Sequence, residues 1–174
     1  MGKFLNPDNS AFQTTIDSQI YIDKTGLIAF TNRVLGTQQA FICNSRPRRF
    51  GKSITANMLT AYYSKGCDSR ELFSPYKISK SDSFEKHLNK YNVIHINMVE
   101  YLTEAKSIEN LIKYIEDDII GDITDSMPEL VMPRRISLTK VLTSAFNQFK
   151  IPFIFIIDEW DCIFRKSSIR SEEY

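Results

Sequence analysis

Gly51-Lys52-Ser53 sits between a short apolar run, Gln39 to Asn44, and a stretch of helical periodicity from Ile54 to Tyr63. A glycine at that junction lets the backbone come close to a ligand. The first N–H groups of a helix favour anionic oxygens. In this setting the Lys52 ammonium is placed to reach the β- and γ-phosphates of a nucleotide, and the Ser53 hydroxyl to take a coordination position on Mg²⁺. The P-loop form G-x-x-x-x-G-K-[ST] is met except at its first glycine, where the chain has Arg46, a residue that restricts the backbone. The whole segment Arg46-Pro47-Arg48-Arg49-Phe50-Gly51-Lys52-Ser53-Ile54 is the expected nucleotide-binding turn. Arg46, Arg48 and Arg49 read either as a solvated basic loop or as added charge against phosphates.

A second constellation lies far along the chain. The apolar run Phe153 to Ile157 leads directly into Asp158-Glu159-Trp160-Asp161. An apolar strand ending in Asp-Glu is the Walker B arrangement. Asp158 would hold Mg²⁺ directly or through water, and Glu159 would polarise the attacking water as general base. Ligands of open α/β sheets gather at the carboxyl ends of strands, so parallel strands would bring both motifs to one rim. The plainer alternative is that the acidic residues simply end a strand and enter solvent. Lys52 and Glu159 are the expected catalytic residues; Ser53 and Asp158 are the expected metal ligands. Trp160 and Asp161 read as neighbours of the site or as packing residues, and His95 as a core or face residue. Asp23 and Lys24 read as a helix cap and a surface lysine, or as residues that approach the nucleotide.

The elements that must position these residues follow from periodicity. Phe12 to Ile16 reads as a short strand or coil. A helix follows Tyr21 to Gly26, capped by Asp23 or Thr25 and stopped by Gly36. Gln39 to Asn44 reads as a buried strand, Ile54 to Tyr63 as a helix, Leu72 to Tyr76 as a loop and Phe84 to Asn89 as a helical turn or two. Asn92 to Met98 reads as a second strand. Ser107 caps a helix to Ile120, with Ile108, Leu111, Ile112, Ile115 and Ile119 on one face and Gly121 closing it. Ser137 to Phe149 reads as a further helix. Pro152 to Ile157 lacks alternation and so resembles a central strand covered on both faces. Strands separated by helices imply an α/β fold with a three-layer parallel sheet.

Composition narrows the class. The chain has 174 residues, 43% hydrophobic and 25% charged, with a net charge of +1. These values fit a globular domain and argue against disorder. A charge so near zero gives no field for non-specific nucleic-acid binding. The longest apolar run is about six residues, and a membrane-spanning helix needs about 20. The three cysteines are widely spaced, and neither histidine lies near one in sequence, so the reading is a reducing cytoplasm without a zinc site or disulfide framework.

Tyr21-Ile22-Asp23-Lys24-Thr25, Ser45 to Ser53, Tyr62-Tyr63 and Ile157 to Asp161 together resemble the AAA-ATPase-like domain family, whose bacterial members often carry a PD-(D/E)XK nuclease-like region at the C-terminus. The Arg-Pro-Arg-Arg-Phe-Gly-Lys-Ser string is specific to that family, the absent first glycine included. The resemblance spans about position 15 to 165. It implies an AAA-like P-loop NTPase core over 37–174, after a lead-in and helix over 1–36, with ATP and Mg²⁺ as cofactors. It also implies Walker roles for Lys52, Ser53, Asp158 and Glu159. In such ATPases a further strand, bearing a polar sensor residue, follows Walker B in sequence and lies between the P-loop and Walker B strands. The chain ends at Tyr174, so the expectation is an incomplete core: a fragment, a truncated gene product or half of an assembly, completed by a C-terminal region or by self-association. Two functions follow, Mg-dependent ATP hydrolysis in the complete protein, or a nucleotide-binding or interaction module without turnover. Nucleic-acid handling within a nuclease–ATPase system rests on the family association and the arginine cluster.

Overall fold

The computed structural model describes residues 2–45, 47, 49–105 and 107–164. Its elements are helices α1 (Ser10–Ile16), α2 (Gly26–Val34), α3 (Lys52–Tyr63), α4 (Arg70–Phe73) and α5 (Phe84–His87), strand β1 (Asn92–Asn97), helices α6 (Met98–Glu104), α7 (Ile108–Ser126) and α8 (Leu138–Phe149), and strand β2 (Phe153–Asp158). A 3₁₀ turn, Lys77–Lys80, lies between α4 and α5.

β1 and β2 pair in parallel, from Asn92 opposite Phe153 to Asn97 opposite Asp158. Side chains alternate across a strand, and each face of this pair builds its own core. Val93, Ile154 and Ile156 join Met58, Tyr62 and Tyr63 of α3, with Phe12, Ile28 and Phe73. Ile94, Ile96 and Phe153 join Leu111, Ile119 and Ile123 of α7 and Val141 and Ala145 of α8. The chain is thus mixed α/β around a two-stranded parallel sheet.

The N-terminal residues close the outer edge of β1. Leu5 bridges Ile94 in antiparallel fashion. The Asn6 amide donates to the Val93 carbonyl at 2.7 Å, and the His95 amide to the Phe4 carbonyl at 3.0 Å. The Asp122 carboxylate of α7 accepts the N–H groups of Lys3, Phe4 and Leu5 at 3.0, 2.7 and 2.6 Å. A strand edge left open invites pairing with other chains; here one edge is covered by the protein's own lead-in.

Several sequence expectations are corrected. Phe12 to Ile16 lies in a helix, with Phe12 fully buried. Gln39 to Asn44 forms no strand. Phe41 is 97% exposed, and the segment pairs with neither strand. A strand exists only when a neighbour takes its N–H and C=O groups, so apolar character alone does not make one. α7 runs through Gly121 to Ser126; one glycine costs a helix about 1 kcal/mol, which tertiary packing of the flanking turns offsets. Ile112 faces outward at 55% exposure, away from the Leu111 face; the Ile108 side chain lies outside the described residues. β2 is not covered on both sides, because Phe155 and Ile157 are 43% and 49% exposed. α4 occupies part of the expected loop, and α6 follows β1 with Asn97 as its N-cap, accepting the Val99 amide at 3.1 Å.

The core on the α3 face contains a hydrogen-bonded polar group. Tyr63 Oη donates to Asn32 Oδ1 at 2.7 Å, Asn32 Nδ2 donates to Tyr62 Oη at 3.1 Å, and Tyr62 Oη donates to the Phe84 carbonyl at 2.9 Å. Each buried polar atom thereby keeps a partner, which removes the penalty for burying it. Burial pushes the Tyr62 hydroxyl up to about 12, with its Asn32 hydrogen bond acting in the opposite direction.

His87 of α5 is buried, with Nδ1 2.6 Å from Tyr91 Oη. Burial, and then neighbouring Lys86, hold its imidazole below the usual histidine range. The unfolded chain therefore takes up this proton first as pH falls, so the stabilisation is complete above about pH 6.5 and is lost below it. The thermal midpoint is expected to fall from pH 7.5 to 5.5, with a smaller slope in His87→Gln. An unchanged slope in that variant would show that His87 does not carry the effect.

Candidate functional site

Helix α3 begins without a side-chain cap. Gly51, its N-cap residue, has φ 74° and ψ 40°, a left-handed conformation that costs an L-residue with a Cβ roughly 1–2 kcal/mol. The Gly51 carbonyl accepts the Thr55 amide and the Thr55 hydroxyl, both at 3.0 Å. No acidic residue stands in the first turn. Among the described residues no side chain caps the leading amides of α3, and a helix start of that kind favours negative charge. Before them, Phe50 N–H donates to the Pro47 carbonyl at 3.4 Å, and Arg49 is also left-handed, with φ 67°.

α3 packs against both strands, on the face that carries Val93, Ile154 and Ile156. By the same alternation, Asn97 and Asp158 fall on that face at the carboxyl end of the sheet. The chain turns sharply after Asp158. Glu159 has φ 54°, its amide donates to Asp158 Oδ1 at 2.9 Å, and the Cys162 amide donates to the Glu159 carbonyl at 3.0 Å. Cys162 is buried in the core on the far face, which anchors the turn.

Between the start of α3 and this acidic turn lies a cleft of about 250 Å³, lined by Pro47, Arg49, Gly51, Lys52, Ser53, Ile54, Glu159 and Asp161. Lysine and arginine charge meets carboxylate charge across it. That volume is slightly below the range that encloses a drug-sized ligand, and suits the charged tail of a larger one.

Most of the expected site residues meet in this cleft. Asp158 is not among its lining residues, although its neighbour Glu159 is. Phe50 is exposed and lines no part of it. Arg46 and Arg48 lie outside the described residues. Asp161, which the sequence leaves as a neighbour of the site or a packing residue, lines the cleft itself; the signal for this is a third carboxylate within four residues, which a tight turn brings beside Glu159. His95 sits on the α3 face with Nδ1 3.1 Å from Thr60 Oγ1. Burial holds it below the usual histidine range, opposed by Asp158 and Glu100.

An uncapped helix start facing an acidic turn, on one face of a parallel strand pair, defines a mixed α/β protein with a candidate anion site; among the described residues no group of three or more His, Cys, Asp or Glu side chains could hold a metal ion. The family model for a predicted AAA-ATPase (AAA-ATPase-like) matches residues 10–173, and the chain belongs to that family. No curated protein and no solved structure matches it. Among the described residues, no helix is long and apolar enough to cross a membrane.

Proposed function

We propose that the cleft binds Mg–ATP, and that the complete protein hydrolyses it. The observation that carries this reading is the meeting of Gly51, Lys52 and Ser53 with Glu159 and Asp161 in one cleft. In the reading, the α3 amides and Lys52 take the β- and γ-phosphates. Ser53 and Asp158 would supply oxygen ligands of the kind Mg²⁺ prefers. What supports this is the chemistry of two oxygen donors: the Ser53 side chain is exposed, and Asp158, next to the cleft-lining Glu159, carries a hydrogen bond only on Oδ1 among the described residues. Bound metal would neutralise charge on the terminal phosphates. Glu159 orients and deprotonates the attacking water.

Titrating the chain calorimetrically with ATP, with and without Mg²⁺, tests this reading. The parent chain is expected to bind ATP more tightly with Mg²⁺. In Asp158→Asn the Mg²⁺-dependent gain should shrink by roughly 10-fold or more, the scale of loss at metal sites, while Mg²⁺-free binding persists. A parent chain that takes up no ATP sinks the nucleotide reading; an unaltered Mg²⁺ response in Asp158→Asn sinks the metal assignment.

The second reading, a nucleotide-binding or interaction module without turnover, draws support from β2. Its edge away from β1 pairs with no strand among the described residues, and Phe155 and Ile157 beside it are half exposed. Such a surface suits completion by further polypeptide.

A further inference from the structure

The Asp23-Lys24-Thr25 tripeptide precedes α2, far from the phosphate turn in sequence, yet it touches that turn. Lys24 Nζ donates to the Phe50 carbonyl at 2.9 Å. The same nitrogen lies 2.6 Å from the place a Cβ would occupy on Gly51. A side chain at position 51 would push the mobile ammonium aside, so it is the positive φ that favours glycine there, while the contact shows how closely Lys24 approaches the turn.

The residues flanking Lys24 hold it in place. Asp23 Oδ1 accepts the Thr25 amide at 2.8 Å and the Thr25 hydroxyl at 2.6 Å, and Asp23 Oδ2 accepts the Lys77 amide at 3.2 Å. Fully buried Thr25 accepts the Ile78 amide on Oγ1 at 3.3 Å. Asp23 and Thr25 thus clamp this segment to the Lys77–Lys80 turn, and Lys24 alone of the three reaches the phosphate turn. Among the described residues its ammonium forms no ion pair.

We infer that Lys24 is a positioning residue of the phosphate turn, holding the Phe50 carbonyl outward so that the Gly51–Ile54 amides face an incoming triphosphate. The inference rests on the nucleotide reading above. In a trans peptide the C=O and N–H groups point in opposite directions, and the described chain has no cis bond. Fixing the Phe50 oxygen on Lys24 therefore turns the Gly51 N–H away from Lys24. Gly51 lines the cleft and Lys24 does not. A carbonyl left to rotate toward the cleft would set its negative end against phosphate oxygens. The ammonium prevents this, and its charge reinforces the positive end of α3.

Two measurements on Lys24→Met and Lys24→Arg, with Lys52→Ala as reference, test the role. The first is amide hydrogen exchange over residues 50–55 without nucleotide. The second is calorimetric affinity for Mg–ATP. Lys24→Met is expected to speed exchange in that segment, leave the thermal midpoint near that of the parent, and weaken Mg–ATP roughly 10-fold, the scale of one charge-assisted hydrogen bond. Lys24→Arg should restore most of both. Unchanged exchange in Lys24→Met removes the brace whether or not nucleotide binds. Faster exchange with unaltered affinity overturns its service to the site. Should Lys52→Ala lose Mg–ATP while Lys24→Met keeps it, the nucleotide reading stands and the Lys24 role falls. Should the parent bind no Mg–ATP, both fall.

Discussion

Lys52→Ala is expected to abolish measurable Mg–ATP binding without destabilising the protein. Lys52 is the first residue of α3 and lines the cleft. A cation at a helix N-terminus opposes the macrodipole, at a cost of about 0.3–1 kcal/mol. No acidic side chain in that turn offsets it, and alanine is the better helix former. The unliganded variant should therefore melt at the same temperature as the parent or slightly higher. Binding should move the other way. An ammonium bonded to phosphate oxygens contributes roughly 1.5–3 kcal/mol per hydrogen bond, so losing two would weaken binding about 100-fold or more. Opposite signs for stability and affinity separate a ligand-binding lysine from one that supports the fold. A variant that melts early and binds like the parent would place Lys52 in the scaffold instead.

The sequence made some of this architecture legible because the relevant physics is local. The acidic end of β2, the glycine before α3 and the periodicity of α8 are each written within a dozen residues. Gly51 needs its left-handed φ wherever the chain goes next, and Val141 and Ala145 share a helical face whatever they pack against. Gln39 to Asn44 was misread because strand formation is a property of a pair. Its apolar residues fit a strand, but nothing within the segment says which neighbour accepts its backbone. Gly121 misled in the opposite way, since the packing of Ile119 and Ile123 against α8 outweighs a modest local penalty. For Lys24 the sequence leaves two readings open, a surface lysine or a residue that approaches the nucleotide, and only the fold, by bringing the Phe50 carbonyl to its ammonium, places it against the turn. Asp161 likewise has two readings in the sequence, a neighbour of the site or a packing residue, and the left-handed bend at Glu159 decides for the cleft.

That bend leads to the second large effect. Glu159→Gln should retain Mg–ATP and lose its hydrolysis. Glu159 holds φ 54° at the end of β2, and an L-residue is held there only when its surroundings enforce it, at a cost of order 1–3 kcal/mol. Glutamine has nearly the same shape and bears the same backbone cost, so the turn and the cleft should survive the exchange. What disappears is a carboxylate able to take a proton from water. General-base catalysis typically contributes about 10²–10⁴-fold, and phosphate release under saturating Mg–ATP should fall by that order. If parent and variant release phosphate equally, Glu159 is not the base. If both bind Mg–ATP and neither turns over, the chain behaves as the nucleotide-holding module, and the edge of β2 that no described strand covers becomes the place to look for what completes it. Glu159→Gly supplies the control for geometry: it relieves the left-handed strain and removes the carboxylate together. Turnover as low as in Glu159→Gln would assign the loss to chemistry, whereas a further loss of Mg–ATP affinity in the glycine variant alone would assign part of it to the bend.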